Sequence, residues 1–516
     1  MTKIKRAAVY DRWLHTLGGG EQVAFAYAEV LRDLGYQVDL LTHRQFDQNA
    51  AIRKMDVNFD GITIRYLPNL LDYQLSSYTE KYDIFVSNSY LDYIPNRSKF
   101  GILSVFFPSR VAVNPYEYFK RSHIVPSLRK FFIYPSEFEG FEYDSYENGY
   151  LHKWLGQRSC ITINQKIRQF SLQLYFPQLA LSSLDQIQFL VNDHVYVPKR
   201  SINHRNNTAT YDFSLSQANT TQKVCIVLPK SHYSRKISLI RFSIPHYRYF
   251  FYNLFKRLFP HWEMRLHGGP SPTKFSDIES YDRIVAISKF TQYWIQKYWH
   301  LSADIIYPPV AITKFAPSQK KENIIIHVGR FFVGGHSKKQ LEMVRIFKRL
   351  CDTGISDWQL HFVGGVAEGH VHQQYVQKIK DEAQEYPVFF HFDAPFTTLR
   401  ELLSKAKIYW HATGLDEKDK GNPIVLEHFG ITTVEAMASG CVPVVINKGG
   451  QPEIVTPESG FIWQTRRELL DSTLQLIKSP ATLKRMSKEA VKRSKYFSRA
   501  AFTERLEQLL NEKNSR

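Results

Sequence analysis

Two glutamates, Glu427 and Glu435, bracket the run His-Phe-Gly-Ile-Thr-Thr-Val, and Ala436-Met-Ala-Ser-Gly440 follows directly. Val434, Ala436, Met437 and Ala438 supply an apolar helix face, so Phe429, Gly430 and Ile431 fall at the helix start. The first amides of a helix have no intrahelical acceptor, and they sit at the positive end of its dipole. Thr432 and Thr433 therefore present donors suited to a diphosphate without help from a metal, and Gly430 lets the backbone come close to such a ligand. One carboxylate can then face a sugar while the other accepts from ribose hydroxyls. Thr432-x-x-Glu435 also fits a capping box, in which Glu435 only ties down the helix start.

The elements that must position this segment alternate between strand and helix. A strand at about 5–10 leads through Leu17-Gly-Gly-Gly-Glu21 into a helix with apolar Val23, Ala24, Tyr27, Ala28 and Leu31. Strands at 37–42, 82–87, 100–106 and 281–288 continue the pattern. Ile305-Ile-Tyr-Pro-Pro-Val310 reads as a stiff linker, because two prolines suit neither helix nor ladder. A second unit runs through strands at 323–330, 359–365, 388–391, 408–410 and 442–446. The expected organisation is a first α/β domain over 1–306, a second over 307–495, and a helix over 496–516 that crosses back to the first. Within the first domain, residues from about 114 to 260 form an irregular insertion rich in Tyr, Phe and basic residues. Two doubly wound domains on a short linker leave a cleft at the carboxyl ends of their strands.

The whole pattern resembles the retaining glycosyltransferases of family 4, and is similar to mannosyltransferases with the E-x7-E motif. The resemblance rests on Glu427-x7-Glu435, Val442-Pro-Val-Val-Ile446 and Gly449-Gly-Gln-Pro-Glu453-Ile-Val455. It extends to His327-Val-Gly-Arg330 with Lys338, Phe362-Val-Gly-Gly365, Gly18-Gly-Gly-Glu21 and Ala286-Ile-Ser-Lys-Phe290. It implies an α/β GT-B fold of two Rossmann-like domains and transfer of a hexose from a nucleotide sugar to a glycan or lipid-linked acceptor. GDP-mannose is the first donor expected and UDP-sugars the next. By the same resemblance Arg330 and Lys338, with Lys339 as fallback, hold the donor diphosphate, Glu427 faces the donor sugar and Glu435 the ribose. Gly18, Gly19 and Gly20 form the loop that approaches the phosphates, joined there by Gly430, Ile431, Thr432 and Thr433. Alone, a glycine triplet after a strand equally marks a tight turn. No protein nucleophile is assigned. Ser104-Val105-Phe106-Phe107-Pro108 departs from the family, with phenylalanine where many relatives carry a histidine. Conversely, intact Arg330, Lys338, Glu427 and Glu435 weigh against a non-catalytic partner subunit.

Composition narrows the partners. The 516 residues are 43% hydrophobic and 22% charged, ordinary for a globular chain, with a net charge of +18 that calls for an anionic partner. From Phe213 to Trp262 there is no acidic residue, while Lys223, Lys230, Arg235, Lys236, Arg241, Arg248, Lys256 and Arg257 all fall there. This stretch suits an anionic membrane surface or a lipid-diphosphate acceptor, or else forms the aromatic core of an inserted subdomain. Nucleic acid is not expected, since no helix-turn-helix, zinc or RNA-recognition pattern occurs. No cofactor and no metal are expected, as no Asp-x-Asp stands at a strand end. Cys160, Cys225, Cys351 and Cys441 show neither metal spacing nor a disulfide framework, so a reducing cytoplasm is the expected compartment, with docking at the inner face of a membrane. No apolar run reaches the roughly 18–20 residues of a membrane span.

Overall fold

Runs such as Ala7-Ala-Val-Tyr10 and Val442-Pro-Val-Val-Ile446 are buried on both faces, which only a sheet covered by helices on each side permits. The computed structural model describes residues 4–514, apart from 56, 69–74, 91, 110–122, 148–149, 177–183, 217–221, 229–236, 260–274, 368–369 and 418–421. Among these residues, β1 (Arg6–Tyr10), β2 (Gln37–Thr42), β3 (Ile62–Tyr66), β4 (Ile84–Ser87) and β5 (Gly101–Val105) open the chain. Strands β6 to β14 follow between 135 and 243, including β7 (Tyr150–Ile163), β8 (Gln169–Tyr175) and β13 (Gln222–Val227). Next come β15 (Arg283–Ala286) and β16 (Asp304–Ile305). The last group is β17 (Glu322–Val328), β18 (Gln359–Gly364), β19 (Val388–Phe392), β20 (Ala406–His411), β21 (Val442–Ile446) and β22 (Phe461–Trp463).

Two parallel sheets result, ordered β16-β15-β5-β4-β1-β2-β3 and β19-β18-β17-β20-β21-β22. In each, the winding reverses beside the first strand, between β1 and β4 and between β17 and β20. Segments leaving these strands at their carboxyl ends splay apart and leave a crevice. Asp11 to Gly20 follow β1 and Asn88 to Asp92 follow β4. Gly329 to Lys339 follow β17, and the chain from Ala412 to Glu427 follows β20. Both sheets belong to one compact unit, made of 1–113, 273–367 and 374–516. The helix Arg499–Asn514 buries Phe502, Leu506, Leu509 and Leu510 in the same core as the helix Gly19–Asp33, with Tyr27 and Phe502 edge-to-face at 5.1 Å. Arg499 is ion-paired with Glu29 across this contact.

The second unit is 114–272 with 368–373. The insertion is not irregular, which corrects the expectation from sequence: among the described residues it holds a nine-stranded antiparallel sheet. Phe170, Leu172 and Leu174 alternate inward along β8, over a core with Ala209, Tyr211 and Phe213. The outward positions of this strand are Gln169, Ser171, Gln173 and Tyr175, so its alternation was present in the sequence and was passed over. The cysteines also need correction. Cys160 of β7 and Cys225 of β13 stand opposite each other in the ladder and form a disulfide, while Cys351 and Cys441 are free. Their separation of 65 residues gave no spacing signal, since the register of two distant strands brings them together. The argument for a reducing compartment from cysteine usage therefore falls away. Among the described residues no helix is long and apolar enough to cross a membrane.

Thiol titration of the purified chain, unfolded without reductant, should count two thiols and, after reduction, four. Closing a loop of this length contributes about 4 kcal/mol in the chain-entropy account, so reduction should also lower the melting temperature of the insertion. Four thiols before reduction would contradict the pairing.

Candidate active site

The helix Ile431–Ala438 begins at a turn that only glycine enters freely. Gly430 has φ of +123°, and a Cβ there would lie 2.1 Å from Nε2 of Gln451. Gln451 is fully buried; its Nε2 donates to the Phe429 carbonyl at 3.0 Å and its Oε1 accepts from the Thr433 hydroxyl at 2.8 Å. The Thr433 amide bonds the Gly430 carbonyl, whereas those of Ile431 and Thr432 meet no acceptor among the described residues. The Thr432 hydroxyl is 2.9 Å from that of Tyr409. Because Gly430 is the residue before the first turn, Glu435 is the fifth residue of the helix, and the capping-box alternative does not hold. Its carboxyl hydrogen-bonds no described residue, and desolvation pushes its pKa up to about 8.

Arg330 and the two lysines lie on the segment between β17 and the helix Gln340–Asp352, and they go different ways. Arg330 is exposed, with its guanidinium 5.7 Å from the centre of the Phe332 ring, and no described carboxylate pairs with it. Lys338 places Nζ 2.5 Å from Oε2 of Glu427. Lys339 takes a left-handed conformation, φ of +59°, at the start of that helix and sends its ammonium to Glu417 at 2.9 Å. The structure thus brings Lys338 to Glu427 and turns Lys339 away. His411, 2% exposed at the end of β20, has Nε2 3.5 Å from the same Glu427 oxygen. Burial alone would raise the Glu427 carboxyl, but Lys338 and His411 outweigh it and hold the group well below the usual carboxylate range.

From the other sheet, Gly18 to Gly20 form the start of the helix Gly19–Asp33, where the Glu21 carboxylate accepts the Gly18 N–H at 2.5 Å. Gly19 lies against the start of the helix Ile431–Ala438: a Cβ on it would fall 2.8 Å from Cδ1 of Ile431. Asp11 is buried beside this turn, accepting from the Trp13 amide and the Asn88 side chain, and Asn88 also donates to the Gly20 carbonyl. Burial, then the nearby Glu21, push the Asp11 carboxyl up to about 8. Asp11, Gly20, Glu21, Tyr90, Phe106, His336 and His428 line a cavity of about 380 Å³ that opens between the two sheets. Phe106 is thus part of its wall. Phe107 stacks on His428 with ring centres 4.6 Å apart, and His336 meets His428 edge-on at 5.1 Å.

Sequence reading did not select Asp11, His336, His411 or Gln451. Asp11 and His411 do occupy the ends of β1 and β20, beside the two winding reversals, and that position was the available signal. Among the described residues, no group of three or more His, Cys, Asp and Glu is arranged to hold a metal ion.

The fold is GT-B: two Rossmann-like domains facing across a cleft, with an insertion in the first. Residues 311–493 match the family model of glycosyl transferases group 1, so the chain pairs the GT-B frame with a domain of that type. The structure aligns with the Anabaena HepE protein solved in complex with UDP at a TM-score of 0.52, with 12% identity, covering 98% of this chain and 100% of that one. Sucrose-phosphate synthase from Thermosynechococcus elongatus aligns at 0.51, with 13% identity and 99% of both chains. The GDP-Man:Man(3)GlcNAc(2)-PP-Dol alpha-1,2-mannosyltransferase of Homo sapiens is 27% identical over 198 residues, 35% of this chain and 37% of its own. The protein of the same name from Neurospora crassa is 25% identical over 234 residues, 39% and 40% of the two chains. The matched stretch therefore spans about two fifths of these relatives' length.

Burial holds two histidines of the second domain neutral, with His327 and His428 both lowered to about 3. A folded-state pKa below the unfolded value near 6.5 means that the unfolded chain takes up protons the folded one refuses. The stability these residues confer is complete above about pH 6.5 and is lost as pH falls toward the folded value, at about 1.4 kcal/mol per pH unit for each. Urea unfolding of the second domain should therefore weaken from neutral pH to about pH 5. His428→Asn should flatten that slope by one proton; an unchanged slope would contradict the assignment.

Proposed function

We propose that the chain is a retaining, metal-independent glycosyltransferase of family 4 that moves a hexose from a nucleotide sugar to a glycan or lipid-linked acceptor. This reading is supported by the Ile431 and Thr432 amides, which have no acceptor among the described residues, by the Lys338–Glu427 pair, and by Arg330, which has no described carboxylate partner and acts with that pair on His336. These groups are what a departing nucleoside diphosphate requires. As the bond between the anomeric carbon and the phosphate oxygen breaks, negative charge grows on the diphosphate. Fixed donors and cations stabilise that charge without having to reorganise. Glu427 lies beside Lys338 and is held ionised, suited to a sugar hydroxyl or to developing positive charge on the ring. Glu435, with no partner among the described residues, suits the ribose hydroxyls.

GDP-mannose is the first donor in this reading, supported by the relatives that are named as GDP-mannose-dependent mannosyltransferases. A UDP-sugar is the second. The lipid-linked acceptor rests on the same names, and the product belongs with surface polysaccharide or glycolipid. The site of action in this reading is the cytoplasmic face of a membrane. Arg330, Lys338 and the helix start supply the positive charge that a divalent ion supplies in other transferases, so the scheme needs no metal.

Incubation with a panel of GDP- and UDP-sugars should show one donor hydrolysed or transferred, with Arg330→Ala and Glu427→Ala each roughly 100-fold or more slower. Absence of both binding and turnover across the panel would overturn the proposal. Binding without turnover would identify a non-catalytic partner subunit.

A further inference from the structure

The insertion contains a helix that is apolar on two sides and packed on only one. In Tyr247–Leu258, the side carrying Tyr249, Tyr252 and Phe255 rests on Leu128, Phe132 and Tyr134, with Tyr134 and Tyr252 stacked at 5.1 Å. On the opposite side Tyr247, Phe250, Phe251, Leu254 and Leu258 follow helical spacing and are 41 to 65% exposed. Phe131, 43% exposed, extends this stripe through a ring contact with Phe251 at 6.4 Å. A run of large apolar side chains facing solvent marks a surface that something covers.

The charges around it say what that is. No acidic residue occurs from Phe213 to Trp262. Lys256 and Arg257 are exposed in the last turn of the helix, while Arg248 is anchored to the carbonyls of Lys130 and Phe131 at its first. Of the basic residues singled out from sequence, Lys230, Arg235 and Lys236 lie outside the described residues, as does Trp262. In a symmetric contact between two copies, the exposed Arg257 would face its own copy, with no acidic residue on this helix to meet it. An anionic bilayer covers the aromatic stripe with acyl chains and the basic residues with headgroups at once.

We infer that the helix Tyr247–Leu258 is an interfacial membrane anchor, seating Phe250, Phe251 and Leu254 below the headgroups of anionic lipids with Lys256 and Arg257 at headgroup level. The choice of lipid as occupant agrees with the lipid-linked acceptor proposed above and rests in part on it; the geometry lies wholly within the insertion.

Cosedimentation of the full chain with vesicles tests this, using phosphatidylcholine alone and equal parts phosphatidylcholine and phosphatidylglycerol. The chain should pellet with the mixed vesicles, bind phosphatidylcholine poorly, and release as salt is raised. The triple variant Phe250→Ser, Phe251→Ser, Leu254→Ser and the double variant Lys256→Glu, Arg257→Glu should each bind about tenfold or more weakly. Both should keep the affinity of the unaltered chain for GDP or UDP, measured in the same preparations. Failure of the unaltered chain to bind either vesicle, or equal binding by both variants, overturns the anchor. So does a dimer that the triple variant converts to monomer while vesicles fail to displace it. Nucleoside-diphosphate binding reports separately on the donor reading, so either idea can fail without the other.

Discussion

The second-sheet side of the cleft depends on one backbone packing arrangement, the seating of Gly449-Gly450-Gln451 against Glu427-His428-Phe429. The Gly450 amide donates to the Glu427 carbonyl at 2.8 Å, and a Cβ on Gly449 would fall 2.1 Å from that same oxygen. Gln451 then reaches between Phe429 and Thr433 and holds the turn at Gly430 in a conformation that leaves two amides open. Buried amides with no acceptor are costly, and in a water-accessible crevice they are kept available only by surroundings that fix the turn. The same contact fixes the Glu427 backbone, and with it the carboxylate that Lys338 and His411 approach.

Electrostatics on this side are divided between a compensated and an uncompensated part. Glu427 is balanced by Lys338, and His327, His411 and His428 are all kept toward the neutral form by burial. Among the described residues, Arg330 and the positive end of a helix remain without a counter-charge. An anionic ligand entering here therefore meets attraction that no described carboxylate pairs with. Across the cleft, Glu21 lies at the start of the opposing helix and Asp11 directly after β1, beside Tyr90 and Phe106. The two faces are chemically unlike, as suits a charged leaving group on one side and a hydroxylated acceptor on the other.

The parallel sheets were legible in the sequence because their strands are short apolar runs separated by helical patterns, a contrast that survives without any tertiary information. The helix start at Gly430 was legible for a related reason: glycine, two threonines and an apolar face lie within a few consecutive residues. The role of Glu435 was not settled there, since Thr432-x-x-Glu435 satisfies the cap pattern and only the position of Gly430 before the helix excludes it. Long-range register was hidden altogether. The opposition of Cys160 and Cys225, the approach of Gly19 to Ile431 and the reach of His411 to Glu427 each depend on which strand lies beside which. The antiparallel insertion was legible in part, since Phe170, Leu172 and Leu174 alternate with Gln169, Ser171 and Gln173, but the pairing of its strands was not.

The central claim is that the helix start at Gly430 receives a diphosphate. A crystal structure of the chain soaked with GDP or UDP tests it most directly. The account predicts phosphate oxygens within hydrogen-bonding distance of the Ile431 and Thr432 amides, with the Arg330 guanidinium turned onto the same group and the ribose hydroxyls at Glu435. A nucleotide seated elsewhere, or phosphates directed away from those two amides, would contradict it.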